Sequence, residues 1–246
     1  MEENALSLAR AARQSRGEQL LDLTLADPRE AGLPRPQVEL TLGQLGSEPF
    51  GQPQARAVLA AHLGLPETEA SRLILSASTS EAYRWLLELL CDPGDSVVTT
   101  SPGYPLLEHL AQLEGVESRA VPLCVAGGYA LDPDALESAC DARTRAVVLV
   151  NPGHPTGHFL SEDELASILR LCSRRHLALV CDEVFAASAR DEAPRRVTRL
   201  TGRALPVLTF CLAGLSKYIG EPGLKLAWTW VGDLPGLARR RSPGWS

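Results

Sequence analysis

Lysine is nearly missing from this chain of 246 residues: Lys217 and Lys225 are the only two, in a sequence otherwise supplied with arginine. Positive charge is short as well, with a formal net charge of -6 at pH 7 and a pI near 5.4. That balance excludes a nucleic-acid surface, because phosphate binding needs a concentrated basic face and these arginines are scattered among acids. The one basic run, Arg239, Arg240 and Arg241, lies at the end of the sequence and reads as a solvated tail. Paired cysteines are absent. Cys91, Cys124, Cys140, Cys172, Cys181 and Cys211 fall singly, mostly inside apolar stretches and with no histidine at metal-ligand spacing. They read as small buried hydrophobes in a reducing compartment, not as disulfides or metal ligands. No unbroken apolar segment suggests a secretory signal or membrane span, so no membrane partner and a cytoplasmic location are expected. Internal repeats and low-complexity segments are also lacking.

What is present alternates. Residues 5 to 20 carry Ala and Leu at helical spacing and predict a helix, followed by a Pro-rich arm. A second helix fits QARAVLAAHLG, starting near Pro53, where a proline in the first turn costs nothing. From residue 73 onward, β-rich runs (LILSA, SVVTTS, SRAVPL, AVVLVN, LALVCDE) are separated by amphipathic stretches (EAYRWLLELLC, LLEHLAQLE, DALESAC, EDELASILRLCSRRH). That is an α/β signature. RAVVLVN and LALVCD are nearly all apolar, as expected of strands covered by helices on both faces.

Open α/β sheets gather ligands at the carboxyl ends of their strands, so the residues after each run carry the functional reading. After LILSA, Ser78, Thr79 and Ser80 open a helix; their hydroxyls and free N–H groups make a phosphate site, or Ser78 is a plain N-cap. After SVVTTS, the turn Pro102-Gly103-Tyr104-Pro105 presents one ring, which stacks on a flat cofactor or packs as an ordinary turn tyrosine. After RAVVLV comes a dense cluster of turn formers from Asn151 to Gly157, within which His154 is a ligand contact or a capped loop histidine. Asp182 lies just beyond a fully apolar strand, where a carboxylate is costly unless a cation meets it. A protonated pyridine nitrogen would serve, kept charged by the acid so that the ring accepts electrons; an arginine is the alternative. After VLTFCLAGL come Ser216 and Lys217. A desolvated lysine loses its proton and attacks a carbonyl, whereas an arginine stays protonated, so the two lysines stand where such chemistry requires them.

Together and in this order, the stretches resemble the pyridoxal-phosphate (PLP) aminotransferases of class I/II, fold type I, over about residues 20 to 232. The resemblance implies a three-layer α/β/α large domain with a mostly parallel sheet over residues 51–235, preceded by a helix and arm (1–50) and followed by an atypical tail (236–246). SASTSEAY is similar to the family's phosphate loop, which brings in Ser78, Thr79 and Ser80, and SPGYP to the segment of its ring-stacking aromatic, here Tyr104. NPGHPTG resembles the Asn-Pro-x-Asn-Pro-Thr-Gly loop, and CDEVF the strand whose aspartate, here Asp182, pairs with the pyridine nitrogen. GLSKYIGEPGLKLAW resembles the Ser-Lys segment, with Ser216 as a cofactor contact, Lys217 as the imine lysine and Lys225 as a phosphate contact. The implied reaction exchanges the Lys217 imine for an amino acid's amino group, after which Lys217 moves the Cα proton and a 2-keto acid leaves. The implied partners are an amino acid, a 2-keto acid and a second copy in a homodimer. A carbon–sulfur lyase of the same fold, or a PLP-binding protein without turnover, fits the same lysine and aspartate.

The pattern also departs from the family. His154 stands where asparagine touches the cofactor's phenolic oxygen, Phe185 where a tyrosine does, and Ser47 where a tyrosine reaches a neighbouring subunit. Family members continue into a C-terminal small domain that supplies the carboxylate-binding arginine, whereas this sequence ends at VGDLPGLARRRSPGWS, so a truncated form with impaired substrate binding is expected.

Overall fold

The computed structural model describes residues 5–21, 30, 32, 37, 39, 46–125, 128–188 and 196–232. The 236–246 tail therefore lies outside the described residues. The chain divides into two units, Met1–Gln37 and Val38–Ser246. In the first, the predicted helix is α1 (Ala5–Ser15). It stops short of residue 20 at Gly17, whose left-handed φ of 72° ends a helical turn at no steric cost. Arg13 and Arg16 then close on Glu18 at 3.0 and 2.8 Å.

The second unit is built on one seven-stranded sheet of order β1-β7-β6-β5-β4-β2-β3. Its strands are β1 (Leu73–Ser76), β2 (Ser96–Ser101), β3 (Glu117–Pro122), β4 (Thr144–Val150), β5 (Ala178–Asp182), β6 (Thr209–Gly214) and β7 (Ala227–Val231). The helices are α2 (Pro53–His62), α3 (Thr79–Leu90), α4 (Pro105–Leu113), α5 (Pro133–Ser138), α6 (Glu162–Arg175) and the single turn α7 (Leu215–Tyr218). From β3 through β6 all neighbours are parallel. Strand β7, which propensity alone did not single out, runs antiparallel between β6 and β1. The sheet is thus mostly parallel with one reversed strand near its edge.

Each face of the sheet has its own apolar core, and the period-two alternation of the strands decides which residue goes where. Ala146, Val148, Ala178, Val180, Phe210 and Leu212 pack with Ala82, Tyr83 and Leu86 of α3 and Leu107 and Ala111 of α4. Val147, Leu149, Leu179, Cys181 and Cys211 pack on the other face with Ala60 of α2, Leu136 of α5 and Leu165, Ile168 and Leu171 of α6. The apolar spacings in α3 and α6 are those of a helix with one buried stripe. Their starts are fixed chemically. The Ser78 hydroxyl accepts from Glu81 N at 3.1 Å, and Ser161 forms a full capping box with Glu164. At the far end of α6 the αL residue is His176, a non-glycine C-cap followed by the buried strand β5.

Candidate active site

The carboxyl ends of β1, β2, β4, β5 and β6 converge on one cavity of about 240 Å³. Nine of the ten residues singled out from the sequence line it. Ser78, Thr79 and Ser80 come from the start of α3; Tyr104 is the residue before α4; His154 comes from the loop after β4. Asp182 and Phe185 follow β5, and Ser216 and Lys217 follow β6. Lys225 stands apart: both lysines are exposed, Lys217 included although a desolvated amine was expected, but Lys225 also holds a left-handed backbone (φ 51°, ψ 51°) and is not among the lining residues.

Local structure presents each group. Ser78 caps the helix by accepting from Glu81 N, which leaves its O–H hydrogen available as a donor, and the amides of Thr79 and Ser80, in the first helical turn, remain as donors at the positive end of α3. Tyr104 depends on Gly103, where a Cβ would sit 2.3 Å from the Thr100 carbonyl oxygen. Only glycine permits that turn. The β4 loop is fastened by Asn151, fully buried, whose amide donates to Val197 O at 2.8 Å and accepts from Leu160 N at 2.9 Å. Lys217 rides on α7, whose first residue is pinned by Leu215 N donating to Leu226 O at 2.9 Å.

The rings form a continuous wall. His154 stacks on Phe185 (centroids 5.8 Å apart, planes at 24°) and meets Tyr104 edge-on at 6.1 Å. Tyr104 in turn lies 6.0 Å from Tyr83, which is buried behind it.

Asp182 is 3% exposed and accepts a hydrogen bond from Val184 N at 3.0 Å. Burial pushes its carboxyl up to about 6; the Val184 amide and then the nearby Tyr83 hydroxyl oppose that rise. No cation among the described residues contributes, so the arginine alternative is not realised there. Glu183, the next residue, faces away into a separate cavity and was not singled out by sequence reasoning. It accepts from Thr201 Oγ1 at 2.5 Å, from Thr201 N at 3.4 Å and from Leu200 N. Burial still lifts its carboxyl to about 7. Its only sequence signal was the one that flagged Asp182, an acid at the tip of an apolar strand.

Two polar atoms at this site lack a hydrogen-bond partner although fully buried: His154 Nδ1 and Tyr83 Oη. A buried carboxylate without a cation and an imidazole nitrogen without a partner, both at one cavity, are unusual in a satisfied interior. They suit a group that brings a protonated ring nitrogen to Asp182 and a polar substituent to His154. The α3 amides suit an anion, and Lys217 offers an amine. Pyridoxal phosphate fits this donor set. Among the described residues there is no cluster of metal-ligating side chains, and no helix is long and apolar enough to cross a membrane.

A lysine and an acid at adjoining strand tips, with a helix N-terminus beside them, define a class of α/β cofactor-binding domains; the sequence relationships make it specific. Residues 43–235 match the family described as aminotransferase class I and II, and the chain belongs to that family, whose members use pyridoxal phosphate. Nicotianamine aminotransferase A of Hordeum vulgare is 32% identical over 187 residues, covering 74% of this chain and 40% of that protein. An aminotransferase from Escherichia coli shares the fold with a TM-score of 0.78 at 19% identity, covering 96% of this chain and 61% of the other. The N-succinyldiaminopimelate aminotransferase of Mycobacterium tuberculosis gives a TM-score of 0.68 at 26% identity over 76% of this chain and 50% of that one. The chain spans well under half the length of the nicotianamine aminotransferases it matches, 37%, 40% and 35% of three from rice and barley.

Proposed function

We propose that the protein acts as a pyridoxal-phosphate-dependent aminotransferase, moving an amino group between an amino acid and a 2-keto acid. The observation that carries this is the convergence of Lys217 and of Asp182, buried with no cation beside it among the described residues, on one cavity. When bound, the cofactor supplies an electron sink for the carbanion formed at the substrate's Cα. Lys217 provides the amine that anchors it and, once free, carries the Cα proton. Asp182, ionised beside a cationic ring nitrogen, holds that nitrogen protonated. The Thr79 and Ser80 amides, with the Ser78 and Ser80 hydroxyls, take the phosphate, and Ser216 lies next to the anchoring amine. Tyr104 and Phe185 confine the ring, and His154 donates to its polar substituent. Lys225 reaches the phosphate only if its exposed side chain turns inward.

The large domain, residues 51–235, is the unit that holds the site. A homodimer is the proposed assembly, supported by exposed apolar side chains on adjacent α3 and α4, with Leu89 69% and Leu113 79% exposed. A cytoplasmic setting is supported by six free thiols.

The test is borohydride reduction of the purified, cofactor-loaded protein followed by peptide mapping. A pyridoxyl adduct on Lys217 is expected, and its absence removes the reading. Transamination assays over a panel of amino acids then decide between an enzyme and a cofactor cradle without turnover. The cradle is the second reading, favoured by Phe185, which brings no hydroxyl to the cavity wall.

A further inference from the structure

Among the described residues, His154 and Tyr83 each carry a buried polar atom without a hydrogen-bond partner. His154 faces the cavity and has a role in the reading above. Tyr83 has none: it does not line the cavity, it is 1% exposed, and an aromatic hydroxyl in an apolar core is ordinarily paired. Its surroundings say what it serves. Asp182 alternates with Ala178 and Val180 on the sheet face that α3 covers, and Tyr83 belongs to the same core as those two residues. The hydroxyl thus stands beside the Asp182 carboxylate, close but not aligned as a full hydrogen bond.

The position of Tyr83 along α3 adds a second, independent reason. Thr79 and Tyr83 are four residues apart, so they share a helix face about 6 Å apart along the axis, at about 1.5 Å per residue. One rigid turn of α3 therefore connects the anion-binding amides to the group beside the buried acid. A helix so placed sets the spacing between the two ends of any ligand that uses both.

We propose that Tyr83 is a positioning residue for Asp182: its hydroxyl donates to the carboxylate, holds it ionised, and keeps its outward oxygen aimed into the cavity. The phenol suits that task because burial, then the neighbouring carboxylate, keeps it protonated well above the ordinary tyrosine range. Other titratable groups around Asp182 are Tyr104 before α4, His154 after β4, Lys217 on α7, and Cys181 and Glu183 beside it in the chain. Within α3, Tyr83 is the one titratable side chain acting on it.

The inference rests on Asp182 meeting the cofactor ring, but its first test does not. In cofactor-free protein, the Asp182 carboxyl is titrated by 13C NMR in the wild type and in Tyr83→Phe, which removes one oxygen and keeps the ring packing. We expect the midpoint to rise by about half a pH unit or more, roughly a three-fold gain in proton affinity. An unmoved midpoint overturns the proposal, and with an unchanged or higher Tm it marks Tyr83 as a mere orphan hydroxyl. In loaded protein, Tyr83→Phe is expected to weaken pyridoxal-phosphate binding about three-fold, and the loss should vanish in an Asp182→Asn background. A loss that persists there overturns the route through Asp182. If no pyridoxyl adduct forms on Lys217, the functional reading falls, while the NMR titration still decides the role of Tyr83.

Discussion

Asp95 and Asp182 are each 3% exposed and stand at opposite strand ends of the same sheet, yet they live in opposite circumstances. Asp95, at the amino end of β2, accepts from Asp92 N at 3.0 Å and from Arg145 through Nε at 2.9 Å and Nη2 at 3.2 Å. The Asp92 amide and then the arginine hold its carboxyl below the usual range. Asp182, at the carboxyl end of β5, has one amide donor and no cation, and burial carries it to about 6. The amino end is finished with its own residues; the carboxyl end is left to be finished by something else. Residue type and solvent exposure are matched, but Asp182 lies deeper in apolar surroundings and has no cation, so depth and partners together set the two acids apart.

The comparison is broken most directly at Asp182. In cofactor-free protein at pH 8, Asp182→Asn should raise stability by roughly 3 kcal/mol, the free-energy equivalent of lifting a carboxyl from its ordinary value to about 6. The sign follows from linkage. Because the folded carboxyl binds its proton more tightly than the unfolded one, wild-type stability falls as pH rises from about 4 to about 6, and the penalty is complete above that. Denaturant unfolding at several pH values should show the advantage of the variant fading below pH 6. No gain at pH 8 would make the two acids alike. The same variant should bind the cofactor measurably but more weakly, so its advantage shrinks in the loaded protein.

Asp95→Asn should act in the opposite sense and more weakly. Its carboxyl is held low in the folded state, so it contributes stability above the unfolded value near ~4 and loses that contribution as pH falls further. A lower Tm at pH 7 that converges with wild type in acid is the expected result, read by calorimetry. Smallest is Ser78→Ala, which removes the N-cap of α3 and should cost about 1 kcal/mol. If Ser78 is only a cap, phosphate-dependent retention of the cofactor is unchanged; a parallel loss of retention places Ser78 with the unfinished end.

Much of this was legible in the sequence. Apolar runs alternating with amphipathic stretches placed the strands β1 to β5 within a residue or two, because period-two and 3.6-residue patterns are local. The strand-end rule then brought nine of ten chosen residues to one cavity. What escaped depends on tertiary direction. Ala227–Val231 carries Trp, Thr and Val like any strand, but its reversal between β6 and β1 is set by the short excursion through α7, which no propensity records. Tyr83 reads as one more apolar position on α3; its tie to Asp182 appears only once β5 and α3 are stacked. Lys225 matched a motif, yet its left-handed turn leaves it exposed.

The Asn151 amide has a consequence for how such a protein can change over time. One buried side chain ties the start of the loop after β4 to its end at Leu160 and to the separate segment at Val197, through contacts that do not involve residue 154. The clamp works as a socket with an exchangeable plug. A polar exchange at position 154 would then alter the ring contacts to Phe185 and Tyr104 while the Asn151 anchor stays in place.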